Sequence, residues 1–147
     1  MLTVVEKVVF LQNVEIFGEV PSEQLTSLAA IADETEFQAG DTIFKEKEPS
    51  DSLYLVITGK VSLQRDGQQV LLAGPRDSFG TWSLLDEEPQ VVTAKVMEDT
   101  MLLRIDRNDF VDLLADNIQV TQSILKTLVK RLRELIKKLG PESKRPV

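Results

Sequence analysis

The chain contains no cysteine and no histidine. Without cysteine there is no disulfide, no thiolate nucleophile and no cysteine-ligated zinc or iron-sulfur centre. Without histidine, the commonest general base near neutral pH and the commonest transition-metal ligand are both missing, which leaves carboxylate, hydroxyl, lysine and tyrosine chemistry. Aromatic residues make up only 5% of the sequence, with a single Trp and a single Tyr. No apolar run approaches the roughly 18 residues that cross a bilayer, and the N-terminus lacks the basic, apolar and small-residue succession of a secretion signal. A cytoplasmic protein without a membrane segment is expected.

What remains is an ordinary globular composition: 147 residues, 42% hydrophobic and 28% charged, enough for one domain spanning 1–147. The net charge of -7 is unevenly placed. Residues 126–145 hold eight Lys or Arg against two Glu, whereas the first 125 residues hold nine against 22 acids. A basic segment can bind nucleic acid, but these charges follow the outer side of an amphipathic helix, and a solvated helix face accounts for them.

Thr3 and Glu6 have capping-box spacing and precede Val5, Val8, Val9 and Phe10, predicting a short helix over 3–12. After an irregular stretch at 13–20, Pro21 can take the first helical position of a second helix over 21–31, with Leu25, Leu28, Ala29 and Ile31 on its apolar face. From 33 to 106 the texture changes to short segments rich in Val, Ile, Thr, Phe and Leu, separated by Gly, Pro and Asp. Their spacing predicts antiparallel strands over 34–38, 42–45, 52–58, 60–65, 68–72, 90–97 and 100–105. Asp66-Gly67 is the best hairpin signal, because both residues accept positive φ. Asp106 can cap a helix carrying Phe110, Val111, Leu113 and Leu114, and a longer helix runs from 118 to 139, stopped by Gly140 and Pro141. Residues 141–147 form a polar tail.

In the last helix Ile118, Thr121, Leu125, Leu128, Leu132, Leu135 and Leu139 recur at alternating gaps of three and four, an a/d heptad seam. It predicts a homodimer through Leu125, Leu128, Leu132, Leu135 and Leu139. The competing reading packs the stripe on the chain's own barrel, and Ile124, Val129 and Ile136 widen it enough to serve both surfaces.

Several segments resemble the cyclic-nucleotide-binding domain family: Gly40-Asp41-Thr42-Ile43-Phe44, then Leu53 to Val61 with Gly59, then Phe79-Gly80, Leu84-Leu85 and Pro89. Leu103 to Phe110 resembles the entry to the family's B helix, and Lys130-Arg131-Leu132 a stretch of its C helix. The resemblance covers nearly the whole chain. It implies a mainly β fold with flanking helices: a jelly-roll barrel over 33–106, N-terminal helices over 1–32, and B and C helices over 107–140. Within the barrel it implies a phosphate-binding cassette over 79–94. Phe44, Leu53, Leu55 and Ile57 are expected to point into the barrel. Phe79-Gly80 would open a short helix whose free N-H groups face an anion.

Carried over residue by residue, the resemblance puts candidate ligand contacts at Phe79, Gly80, Thr81, Trp82, Gln90, Val91 and Thr93. The family's cassette has Glu for a ribose hydroxyl where this chain has Thr81, and Arg for the cyclic phosphate where it has Gln90. Hydrogen bonds to charged groups contribute about 1.5–3 kcal/mol each, so the two losses predict binding weaker by about 10² to 10⁴. Asp86-Glu87-Glu88 would repel an anion further unless they point to solvent. Lys47 stands at a turn where the family commonly has Gly, and the C-helix positions that could read a base fall near the apolar Leu135 and Ile136.

For Trp82, packing on the barrel wall competes with stacking on a base. Asp106 with Asp109, and Asp86 with Glu88, could be paired carboxylates, but capping and solvation explain them, and the acids lack calcium-loop spacing. The jelly-roll enzymes called cupins hold a metal through several His, which this chain cannot supply. The expected function is a non-enzymatic regulatory domain that controls a partner or a larger chain. Cyclic AMP or cyclic GMP would be at most a weak ligand, with no other cofactor and no metal. Two alternatives are a ligand-independent dimerisation module and a true cyclic-nucleotide binder using unconventional contacts. Only seven residues follow Gly140, so the helix-turn-helix that transcription-factor relatives carry after the C helix is not expected here.

Overall fold

The structure, a computed structural model, describes residues 1–49 and 51–139. Three helical segments come first: α1 (Val4–Leu11), a 3-10 turn (Glu15–Phe17) within the stretch expected to be irregular, and α2 (Ser22–Ala30). The capping box of α1 forms as expected, with the Thr3 hydroxyl accepting from Glu6 N and the Glu6 carboxylate accepting from Thr3 N. Pro21 is the N-cap of α2 and not its first helical residue.

The strands are β1 (Ala32–Phe37), β2 (Thr42–Phe44), β3 (Ser52–Arg65), β4 (Gln68–Ala73), β5 (Ser78–Phe79) and β6 (Thr93–Asp106). They form one antiparallel sheet ordered β1-β6-β3-β4, with β2 on β6 and β5 on β3. The sheet curls into a barrel-like jelly roll without closing. The hairpin between β3 and β4 turns on Asp66 and Gly67, both at positive φ (52° and 78°), as their pairing predicts.

Two pairs of expected strands are single long ones. Segments 52–58 and 60–65 join as β3, whose register against β6 shifts three times between Val56 and Val61. Gly59, at φ 103°, absorbs the irregularity, since a Cβ there would lie 2.7 Å from the Asp99 carbonyl. A glycine within a strand marks a bulge or a close approach as readily as an end. Segments 90–97 and 100–105 likewise join as β6, which begins at Thr93 and not at Gln90.

The face of β3 is also opposite to expectation. Leu53, Leu55 and Ile57 do not point into the barrel; they face the helices in a core with Leu11, Phe17, Leu25, Leu28, Leu84 and Phe110. Phe44 does face inward, with Tyr54, Val56, Val61, Leu63, Phe79 and Leu102. Because side chains alternate, a one-residue error moves the whole set to the other face. Both faces of β3 are buried from Ser52 to Ile57, so hydrophobicity alone could not tell them apart.

α3 (Thr81–Asp86) interrupts the long connection to β6, and α4 (Arg107–Asp116) and α5 (Ile118–Lys137) close the chain. Asp106 caps α4 by accepting from Asn108 N at 2.8 Å and pairs with Arg104 at 3.6 Å, which accounts for this acid without catalysis. The stop of α5 expected at Gly140-Pro141, and the tail, lie outside the described residues.

Candidate functional site

Gly80 is dictated by packing. Its φ is 82°, and a Cβ would stand 2.7 Å from the Ser52 carbonyl oxygen. Phe79, one residue earlier in β5, pairs with Tyr54 and stacks on its ring at 5.5 Å, with Phe44 at 5.9 Å. Burial lifts the Tyr54 phenol above its ordinary pKa, an effect that nearby Arg104 partly offsets. Leu84 anchors α3 in the helix-side core, 2% exposed. The bend that resembles a cassette is therefore held by contacts that require no ligand.

Around this bend lies a cavity of about 430 Å³. Phe79, Gly80, Thr81, Trp82, Gln90 and Val91 line it, together with Glu15, Leu63, Leu71, Asp77, Ser78 and Val92. Six of the seven ligand candidates thus come together. Thr93 does not: its hydroxyl accepts from Glu46 N at 3.0 Å, tying β6 to the turn after β2. Trp82 is not wall packing either, being 55% exposed at the rim. Trp82 and Leu84 are two positions apart, about 200° around a helix, so with Leu84 buried Trp82 faces outward.

Gln90 is the most buried polar residue lining the cavity. Its backbone is clamped by two hydrogen bonds, Lys47 N to Gln90 O at 2.8 Å and Gln90 N to Glu48 O at 2.9 Å. The clamp requires Lys47 at φ 70°, the left-handed conformation for which Gly is the usual choice. Gln90 is only 5% exposed, yet its side-chain amide makes no hydrogen bond among the described residues.

The three acids of the loop take the solvent-facing alternative. Asp86, Glu87 and Glu88 are exposed and none lines the cavity. The charged residues that do line it are Glu15, from the 3-10 turn, and Asp77, whose carboxylate accepts from Gly74 N at 2.9 Å. Neither was legible in the sequence, because the fold brings them there from segments with no motif. Glu15 also forms an ion pair with Arg131 of α5. Beside it Lys130 pairs with Glu19 at 3.4 Å, and Thr127 accepts from Glu19 N at 3.0 Å. One wall of the cavity is thereby fastened to the last helix, although no residue of α5 lines the cavity itself, Leu135 and Ile136 included.

α5 is two-faced. Val120, Ile124 and Thr127 are buried and Leu128 partly so, whereas Leu125, Leu132, Leu135 and Leu139 are each more than half exposed. Ile124 thus joins the fold, and most of the heptad seam faces outward.

Residues 34–117 match the family model described as cyclic nucleotide-binding domain. The chain belongs to the cyclic-nucleotide-binding domain family. A CRP-like cAMP-activated global transcriptional regulator of Mycobacterium tuberculosis is 33% identical over 123 residues, 80% of this chain and 55% of that protein. The cyclic AMP receptor protein of Thermus thermophilus is 39% identical over 103 residues, 67% of this chain and 48% of that one. This cyclic-nucleotide-binding domain thus spans about half the length of these relatives. Among solved structures, the N-terminal domain of a transcriptional regulator from Streptomyces coelicolor A3(2) superposes with a TM-score of 0.82 at 30% identity, covering 90% of this chain and 98% of that one. Among the described residues no helix is long and apolar enough to cross a membrane, and no acid cluster could hold a metal ion.

Proposed function

We propose that the chain is a non-enzymatic regulatory domain that binds cyclic AMP and cyclic GMP weakly or not at all and controls a partner or the rest of a larger protein. The observation that carries this reading is the cavity: a neutral, buried Gln90 at the position of the family's phosphate-binding Arg, Thr81 at that of its Glu, and two acids in the wall. A cyclic phosphate entering it would find no cation among the lining residues. The relatives' names describe regulators, which supports a regulatory role.

Output would pass through α5. The Arg131–Glu15 pair and the Thr127 contact link the helix to the cavity wall, and its outward leucines form the surface through which two copies associate. A dimer that needs no ligand uses the same surface and is the second reading.

A ligand that binds only the folded state raises its melting temperature. Millimolar cyclic AMP or cyclic GMP is expected to raise it little, and Gln90→Arg with Thr81→Glu to restore a clear rise. If the native chain binds cyclic AMP tightly, or the folded double variant gains nothing by calorimetry, the reading is wrong.

A further inference from the structure

We propose that the cavity beside Gln90 takes an uncharged ring compound presenting an adjacent hydrogen-bond donor and acceptor, as the edge of a nucleobase or nucleoside does, and turns away anions carrying the same ring. The inference rests on the regulatory reading above and assigns the class of ligand.

Gln90 is 5% exposed and its amide makes no hydrogen bond among the described residues, yet the amide nitrogen and oxygen are not sealed off, so both stand free to meet a ligand. It offers NH donors and a carbonyl acceptor side by side. A phosphate or carboxylate answers the donors and sets its own charge against the acceptor. A second amide-like edge answers both, as when glutamine pairs with the N6 and N7 positions of adenine.

Charge selects in the same direction. Glu15 and Asp77 line the cavity. Gln90 also borders a smaller cavity of about 270 Å³, whose charged lining residues, Glu48 and Asp51, are again acids. On either side the charged residues of the lining are acids; Arg131 and Arg104 pair with Glu15 and Asp51 from outside it, which leaves Asp77 and Glu48 without an ion pair among the described residues. Leu63, Phe79 and Val92 supply apolar wall for a ring, with exposed Trp82 at the mouth, and about 430 Å³ lies within the range of small-ligand sites.

Adenosine and cyclic AMP share a base and a ribose and differ by the cyclic phosphate, so titrating each into the intact chain isolates the charge. Adenosine is expected to bind at least about tenfold more tightly. Raising the ionic strength should narrow the gap by improving cyclic AMP alone, since salt screens repulsion by the acids. Gln90→Leu should largely keep the melting temperature, because the amide makes no hydrogen bond within the fold, while weakening adenosine at least about tenfold.

The inference is overturned if adenosine gives no heat, or if Gln90→Leu binds adenosine as well as the native chain does. Tight cyclic AMP binding would overturn both this and the broader regulatory reading. Absence of binding by either compound would overturn this inference alone.

Discussion

The cassette was singled out by resemblance and the seam of the last helix by periodicity, and the structure treats the two in opposite ways. In the cassette the backbone is kept while the chemistry has changed: Gly80, Phe79 and Leu84 hold the bend, but Thr81 and Gln90 carry no charge. In α5 the heptad pattern is present but no described residue covers it, and Leu125, Leu132, Leu135 and Leu139 are exposed. A bend fixed by its own packing needs no ligand to form, and losing it would cost the fold. No described residue covers the exposed leucines, so they contribute little to the stability of the single chain.

The sharpest way to break this contrast is Gly80→Ala, which adds a Cβ against the Ser52 carbonyl and forces a positive φ on alanine. It should cost about 3 kcal/mol in denaturant unfolding without any ligand present. A loss below about 1 kcal/mol would mean that the bend is not held by packing.

On the helix, Ile124→Ala should cost about 2–4 kcal/mol, since Ile124 is 4% exposed within the helix-side core. Leu132→Ala with Leu135→Ala should leave the stability of the dilute chain within about 0.5 kcal/mol and weaken self-association in sedimentation by about tenfold or more. Equal losses of stability from the inner and outer faces would erase the distinction.

Smaller is Lys47→Gly, expected to stabilise by about 0.5–1 kcal/mol by relieving the left-handed residue that clamps Gln90. The last prediction concerns pH. Tyr54 is held with its pKa raised, so the fold favours the neutral phenol. That contribution is complete below the ordinary tyrosine value near 10 and is lost as pH rises through the higher folded value. A Tyr54→Phe variant should lose less stability in that alkaline window.

The fold was largely legible from punctuation and periodicity. The Thr3–Glu6 cap, the Asp66-Gly67 hairpin, the Asp106 cap and the helical spacing after it all read correctly, because each is a local device. Errors arose where local signals carry two meanings. Gly59 read as a strand end and is an interior irregularity, and the doubly buried run of β3 could not reveal which residues faced the helices. For the site, Phe79 to Trp82 and Gln90 were named because the resemblance carries them over, and the fold sets them around one cavity. Glu15 and Asp77 were not, because only the folded chain brings a turn before α2 and a residue before β5 to one wall.

The order of the sheet carries a consequence for how the molecule forms. β1, β2 and β3 all pair with β6, the last strand of the chain, and Ala32 finds its partner only at Ile105. During synthesis the earlier strands must leave the ribosome with their central neighbour still missing. Only the β3–β4 hairpin and the short β3–β5 pairing can zip locally. Such long-range pairings delay folding to the slow end for domains of this size. Until residue 106 emerges, the nascent chain carries open strand edges that invite aggregation.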